Sequence, residues 1–184
     1  MTITKTAIEG LIILTPRLFN DDRGYFFESY NTTTFNDAVG YPVNFVQDNQ
    51  SFSTKGVLRG LHLQKGEHSQ AKLVRVTEGE VLDVAVDLRS GSATYGQYQS
   101  VLLSAQNNQQ LFIPRGFAHG FIVLSDTAVF QYKCDNYYNK QAEGGLHYAD
   151  PEINIDWQMS TDDLNVSDKD RELPFLKDVT DLGF

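Results

Sequence analysis

Apolar and polar positions trade places in short bursts along most of the chain, and Gly, Pro or Asn/Asp pairs close nearly every burst. Residues 11–14 and 25–30 are two such bursts, set around Pro16 and the turn Asn20-Asp21-Asp22-Arg23-Gly24, which predicts two strands and a hairpin-like turn. Residues 31–39 begin with Asn and Thr and carry a modest apolar face, so one short helix entered through an Asn or Thr cap is expected. After Pro42 the chain reads as extended through residues 43–50. Its apolar start gives way to Gln47, Asp48, Asn49 and Gln50, polar groups that cost desolvation at a strand end unless they meet partners or a ligand. A polar pocket rim is the expectation there.

Residues 57–58, 61–63 and 72–76 are further strand-like runs, followed by a long one at 80–88 that carries Asp83 and Asp87. Runs at 98–103, 110–113 and 129–134 complete the series, and the segment 113–124 places His119 between a corner of Pro114 and Gly116 and a further strand. Many short strands at roughly 8–12-residue spacing, with almost no helical periodicity, predict an all-β protein built as a jelly-roll sandwich or barrel. No repeat, low-complexity tract or linker interrupts the pattern, so residues 1–184 are expected to form one domain. From residue 149 onward strand character fades into loops and short helical turns.

Chemistry concentrates between residues 56 and 75, where Arg59, His62 and Lys72 interrupt the apolar runs. Strict alternation along a strand sends His62 and Gly60 to one face and Leu61 and Leu63 to the other. Histidine titrates near neutrality and suits proton abstraction at physiological pH. A lysine on a neighbouring strand can stabilise a developing oxyanion. An acid–base site on a β scaffold follows.

Composition then narrows the function classes. A net charge of -9 argues against a general nucleic-acid binder, so an anionic ligand must be held by a few focused cations. The first ten residues lack the basic start and apolar core of a signal peptide, and there is no apolar run of about eighteen residues, so a cytoplasmic location off the membrane is expected. A lone Cys134 excludes an intramolecular disulfide and a cysteine-based zinc cluster. A metal site of the jelly-roll type wants two histidines separated by one residue; His62 and His68 stand six apart, and Lys72 occupies a strand where an acidic ligand is wanted. No bound metal is expected.

Six motifs, taken together and in order, resemble the dTDP-4-dehydrorhamnose 3,5-epimerase family: Asp22-Arg23-Gly24-Tyr25-Phe26-Phe27-Glu28, Phe45-Val46-Gln47-Asp48-Asn49, Val57-Leu58-Arg59-Gly60-Leu61-His62, Lys72-Leu73-Val74-Arg75, residues 113–121 around His119, and residues 132–138 from Tyr132 to Tyr138. The resemblance implies a metal-free, cofactor-free cupin-like jelly-roll homodimer acting on dTDP-4-keto-6-deoxyglucose, on the route to dTDP-L-rhamnose. It implies that His62 is the base, oriented by Asp170 of Ser167-Asp168-Lys169-Asp170, and that Tyr132 is the acid on the opposite face. Lys72, His119 and Glu143 match residues lining the sugar site. Arg23, Glu28, Gln47, Asp48, Asn49, Arg59 and Lys169 match substrate contacts, and Tyr138 stands where the family stacks on thymine. Two rivals remain open: an epimerase that inverts only carbon 3 or carbon 5 or that handles another nucleotide-linked 4-keto-6-deoxy sugar, and a non-catalytic jelly-roll sugar-binding protein.

Overall fold

A computed structural model describes residues 1–180 with Leu182 and Gly183; Asp181 and Phe184, which the sequence expectation of loops and short turns from residue 149 onward also covers, lie outside the described residues. The chain runs β1 (Thr2–Lys5), β2 (Ile12–Thr15), β3 (Phe19–Asp21), β4 (Gly24–Phe26), α1 (Thr32–Val39), β5 (Gln47–Thr54) and β6 (Val57–Gln64). It continues with β7 (Lys72–Glu78), β8 (Glu80–Asp87), β9 (Tyr98–Ser104), β10 (Gln110–Ile113), β11 (Phe117–Val123) and β12 (Thr127–Cys134). Last come β13 (Glu143–Gly145), β14 (Asn165–Val166) and α2 (Asp168–Arg171), with short 3-10 turns between.

One sheet has the order β1-β2-β10-β7-β12-β5 and the other β13-β6-β11-β8-β9, with β14 added parallel to β6. Their facing sides share an apolar core in which Val74, Val76, Leu111 and Phe130 of the first sheet meet Val81, Ala85, Phe121 and Val123 of the second. The outer side of the first sheet is covered by α1, whose Phe35 packs edge-on against Phe112 at 5.1 Å between ring centres. Asn31 caps that helix by accepting the Thr34 N–H, and Gly40 ends it with a φ of 85°. The outer side of the second sheet is covered by the C-terminal segment through Leu146, Ile153, Trp157 and Val166. Cover on both faces explains why β8 and β11 are apolar almost throughout rather than alternating. The result is the all-β jelly roll expected from the strand spacing.

Three expectations change in detail. The hairpin at Asp21–Gly24 pairs β3 with β4, not residues 11–14 with 25–30, because Ile12 to Thr15 is taken up as β2 between β1 and β10. The polar cluster from Gln47 opens β5 rather than ending a strand, since Val43 and Phe45 leave the sheet to pack in the α1 cluster. Strict alternation along β6 holds from Leu61 to Leu63, with His62 turned away from both, but fails between Arg59 and His62. His62 stands opposite His119 of β11 and Arg59 opposite Phe121, so β6 spends three residues where β11 spends two. This bulge sends Leu58, Leu61 and Leu63 to the outer core and puts Arg59 and His62 together against the inter-sheet cavity.

Candidate active site

The open end of the sandwich holds two adjoining cavities, of about 600 Å³ and about 220 Å³, that share His62, Lys72 and Tyr132. Gln47, Asn49, Tyr138, Glu143 and Lys169 line the larger, outer one. Arg59 and His119 line the inner one, above Phe121 and Phe130, whose rings stack at 4.2 Å. Lys72 does not sit on a strand beside His62. It belongs to β7 of the opposite sheet and faces the histidine across the cavity, as does Tyr132 of β12.

His62 Nε2 lies 2.7 Å from Asp170 Oδ1, and Asp170 Oδ2 accepts the Gly60 N–H at 3.2 Å. The local sequence explains how a carboxylate 108 residues away arrives there. Asn165 and Val166 pair with Val57 and Leu58, which carries α2 alongside β6. Ser167 then caps α2 by accepting the Asp170 N–H at 3.2 Å, which fixes the turn from which the carboxylate projects. Gly60 lets β6 lie close against β11 at this point: its φ is 128°, and a Cβ there would stand 2.6 Å from Gly120 Cα and 2.8 Å from the His119 carbonyl oxygen. Burial alone pushes Asp170 up, but the His62 imidazole, the Gly60 N–H and the Ser167 hydroxyl together hold it below the usual carboxylate range. The His62 side chain is 44% exposed against 5% for Asp170, so the ring presents its other nitrogen, Nδ1, while its partner stays dry.

On the facing sheet, burial pulls Lys72 below its ordinary range, with the Cys134 thiol and the Asp83 carboxylate pulling the other way. Burial, with Cys134 adding to it and Arg59 opposing, pushes the Tyr132 phenol up, so it carries its proton at neutral pH. His119 Nε2 meets both oxygens of buried Asp83, at 2.9 and 3.1 Å, and burial keeps that imidazole below its ordinary value despite the carboxylate. At the mouth, Lys169 Nζ donates to Glu143 Oε2 at 2.6 Å and the Tyr138 hydroxyl donates to Glu143 Oε1 at 2.8 Å. The Lys169 ammonium holds Glu143 below the carboxylate range. A proton acceptor on one wall, a proton donor and a cation on the other can serve a ring held between them.

The sequence analysis named fourteen residues, and the structure gathers eleven around this space: His62, Asp170, Tyr132, Lys72, Arg59, His119, Gln47, Asn49, Tyr138, Glu143 and Lys169. It leaves Arg23, Glu28 and Asp48 elsewhere. Arg23 is 89% exposed at the β3–β4 turn, bound to Asp21. Glu28 lines a separate hollow with Met1, Pro16 and Phe19. Asp48 alternates outward between Gln47 and Asn49 and pairs with Lys133 at 2.9 Å on the other side of the sheet. Asp83 was missed as a site residue, although an aspartate amid the apolar run of β8 signalled it. Ser51, whose buried hydroxyl finds no hydrogen-bond partner among the described residues, gave no signal beyond lying two residues past Asn49.

The sequence model described as dTDP-4-dehydrorhamnose 3,5-epimerase matches residues 5–178. The chain belongs to the dTDP-4-dehydrorhamnose 3,5-epimerase family. It is 54% identical over 179 residues to the enzyme of that name from Escherichia coli K12, covering 97% of this chain and 96% of the relative. The crystal structure of the Elizabethkingia anophelis epimerase superposes with a TM-score of 0.94 at 53% identity, covering 97% of each chain. A Legionella pneumophila epimerase in complex with dTDP-4-keto-L-rhamnose superposes with a TM-score of 0.93 at 46% identity, covering 97% of this chain and 94% of that one. Among the described residues no group of three His, Cys, Asp or Glu side chains is placed to hold a metal ion.

Proposed function

We propose that the chain inverts carbons 3 and 5 of dTDP-4-keto-6-deoxy-D-glucose, giving dTDP-4-keto-L-rhamnose for dTDP-L-rhamnose synthesis. The observation that carries this reading is the division of labour between two walls of one cavity: His62 with Asp170 on one sheet, Tyr132 with Lys72 on the other.

Carbons 3 and 5 flank the ketone at carbon 4, so losing a proton from either gives an enolate with its charge on the carbonyl oxygen. His62 Nδ1 takes the proton, and Asp170 on Nε2 steadies the imidazolium that forms. Lys72 meets the oxyanion in a site poor in water, where its charge counts for more. Inversion then needs a proton from the other face of the ring, and the protonated Tyr132 phenol supplies it. One base cannot reach both faces of a fixed ring, which is why the donor stands on the opposite sheet. Arg59, Lys169 and the Tyr138 ring provide the cations and the flat surface that a nucleoside diphosphate requires on a chain of net charge -9.

The working form is a cytoplasmic homodimer. Support comes from the exposed β3–β4 hairpin: Phe19, Tyr25 and Phe26 are 51%, 56% and 71% exposed there, beside the Arg23 and Glu28 positions that match substrate contacts yet lie outside this chain's cavity. The test is to incubate the protein with dTDP-4-keto-6-deoxyglucose in heavy water and follow both carbons by proton NMR. Exchange with inversion at both carbons is expected. Inversion at one alone makes the chain a single-carbon epimerase, and exchange at neither makes it a sugar-binding protein.

A further inference from the structure

Asp83 is the least expected charge in the molecule. On β8 it points between Val81 and Ala85 into the core shared by the two sheets, it is 0% exposed, and it lines neither cavity. Both its hydrogen bonds go to one atom, His119 Nε2. A carboxylate has about four acceptor sites, and burying its charge is costly unless a cation answers it. Burial works against a charged His119, so the imidazole donates Nε2–H as a neutral ring and leaves the carboxylate's charge in place. The ammonium that feels Asp83 as an attraction is Lys72, which faces His119 across the inner cavity from the opposite sheet.

We infer that Asp83 is a positioning residue for the epimerisation: it fixes His119 as the Nε2–H tautomer, so that Nδ1 offers the sugar a lone pair, and it sets a carboxylate behind His119, across the inner cavity from Lys72, that favours the ammonium there. The titratable and charged groups around Lys72 are Cys134 and Tyr132 of β12, His62 and Arg59 of β6, His119 of β11 and Asp83 of β8, with Tyr138, Lys140, Glu143 and Lys169 across the outer cavity. Cys134 is pushed up to about 11 and Tyr132 is also raised, so both are neutral at pH 7. Of the two carboxylates, Glu143 is already answered by Lys169 Nζ at 2.6 Å, which leaves Asp83 as the one that acts on Lys72. Without it, Lys72 loses the carboxylate that opposes its burial and gives up its proton at a lower pH than in wild type. An uncharged amine cannot offset an oxyanion. The substrate hydroxyl that Nδ1 accepts is one on the hexose, since His119 lines the inner cavity and not the outer one.

This inference rests on the epimerase reading for the task of Lys72, and its experiment has one arm with turnover and one without. In the first, Asp83→Asn keeps the shape and lets the amide oxygen accept the His119 proton while removing the charge. The alkaline limb of kcat/KM should move down by about one pH unit or more, with kcat at pH 8 falling about tenfold or more and dTDP affinity unchanged. A folded variant with the wild-type pH profile and kcat would overturn the inference. In the second arm, nitrogen-15 NMR of labelled histidine in the intact wild-type protein should find one ring, His119, protonated on Nε2 and bare on Nδ1 throughout pH 6–9. The opposite tautomer, or an imidazolium, overturns it even if Asp83→Asn does not fold. If the protein turns out not to epimerise, the spectrum still tests the tautomer, so the two failures are told apart.

Discussion

Replacing Asp170 with asparagine probes the site at its most constrained point. The carboxylate sits between two fixed groups, His62 Nε2 at 2.7 Å and the Gly60 N–H at 3.2 Å. The Gly60 N–H can only donate, so an amide at this position turns its oxygen to Gly60 and its NH₂ to His62. Nε2 then has to accept, the ring proton moves to Nδ1, and the nitrogen facing the cavity becomes a donor with no means of taking a proton. Restoring the productive tautomer means flipping the amide and setting NH₂ against N–H in a buried pocket, at about 1–3 kcal/mol. The imidazolium in the transition state also loses its carboxylate, a charged hydrogen bond of about 1.5–3 kcal/mol. The two together come to about 2.5–6 kcal/mol, a fall of about 10²–10⁴-fold in rate. The assay is deuterium wash-in at carbons 3 and 5 of dTDP-4-keto-6-deoxyglucose, with dTDP binding and near-ultraviolet circular dichroism as controls for the fold. A folded, dTDP-binding Asp170→Asn protein exchanging within about tenfold of wild type would refute the tautomer argument.

Tyr132→Phe should uncouple the two halves of the reaction: deuterium still enters through His62, while inverted product drops by about a hundredfold or more, and a parallel loss of both would move the acid elsewhere. Gly60→Ala should destabilise the fold by about 2–5 kcal/mol in urea titrations, because its Cβ meets Gly120 at 2.6 Å and φ is 128°; a loss under about 1 kcal/mol would mean the bulge yields easily. Asp87, buried under bonds from Arg89, Ser92 and Thr94, is held well below the carboxylate range although burial alone would raise it. Its contribution is therefore present above about pH 4 and lost as pH falls through the lower folded value, so wild type should lose more stability between pH 7 and pH 3 than Asp87→Asn does, and equal losses would contradict this. Prolonged chelation should leave epimerisation unchanged; activity lost to chelator and restored by one divalent metal would overturn the metal-free reading, which follows from the missing His-x-His spacing.

The strand runs and their Gly/Pro corners made the jelly roll legible, because each burst of apolar residues had to bury one face. Which strands face one another was not legible. Lys72 lies ten positions from His62 and reads as its neighbour, yet the chain crosses to the other sheet in between, and only the sandwich shows that the two residues oppose each other. Arg59 and His62 are three apart, a spacing that period-two alternation places on opposite faces; the extra residue of the bulge overrides it, and a lone glycine was its only trace. Asp48 erred in the other direction, since a motif treats Gln47, Asp48 and Asn49 as a block while a strand splits them between two sides. The Asp170 contact was reached through family resemblance alone, as no local pattern links positions 108 apart.

The two-residue strand β14 and the short helix behind it give this molecule an order of completion. A ribosome releases the walls of the cavity, from β5 to β12, well before it releases residues 165–170. Until those last residues emerge, the imidazole of His62 has no carboxylate to orient it, and the outer leucines of β6 lack the cover that Trp157 and Val166 bring. The same segment therefore closes the hydrophobic exterior of one sheet and delivers the group that makes the base competent. A nascent or prematurely ended chain carries sticky surface and no chemistry together, so what quality control would discard is also what could not have turned over substrate.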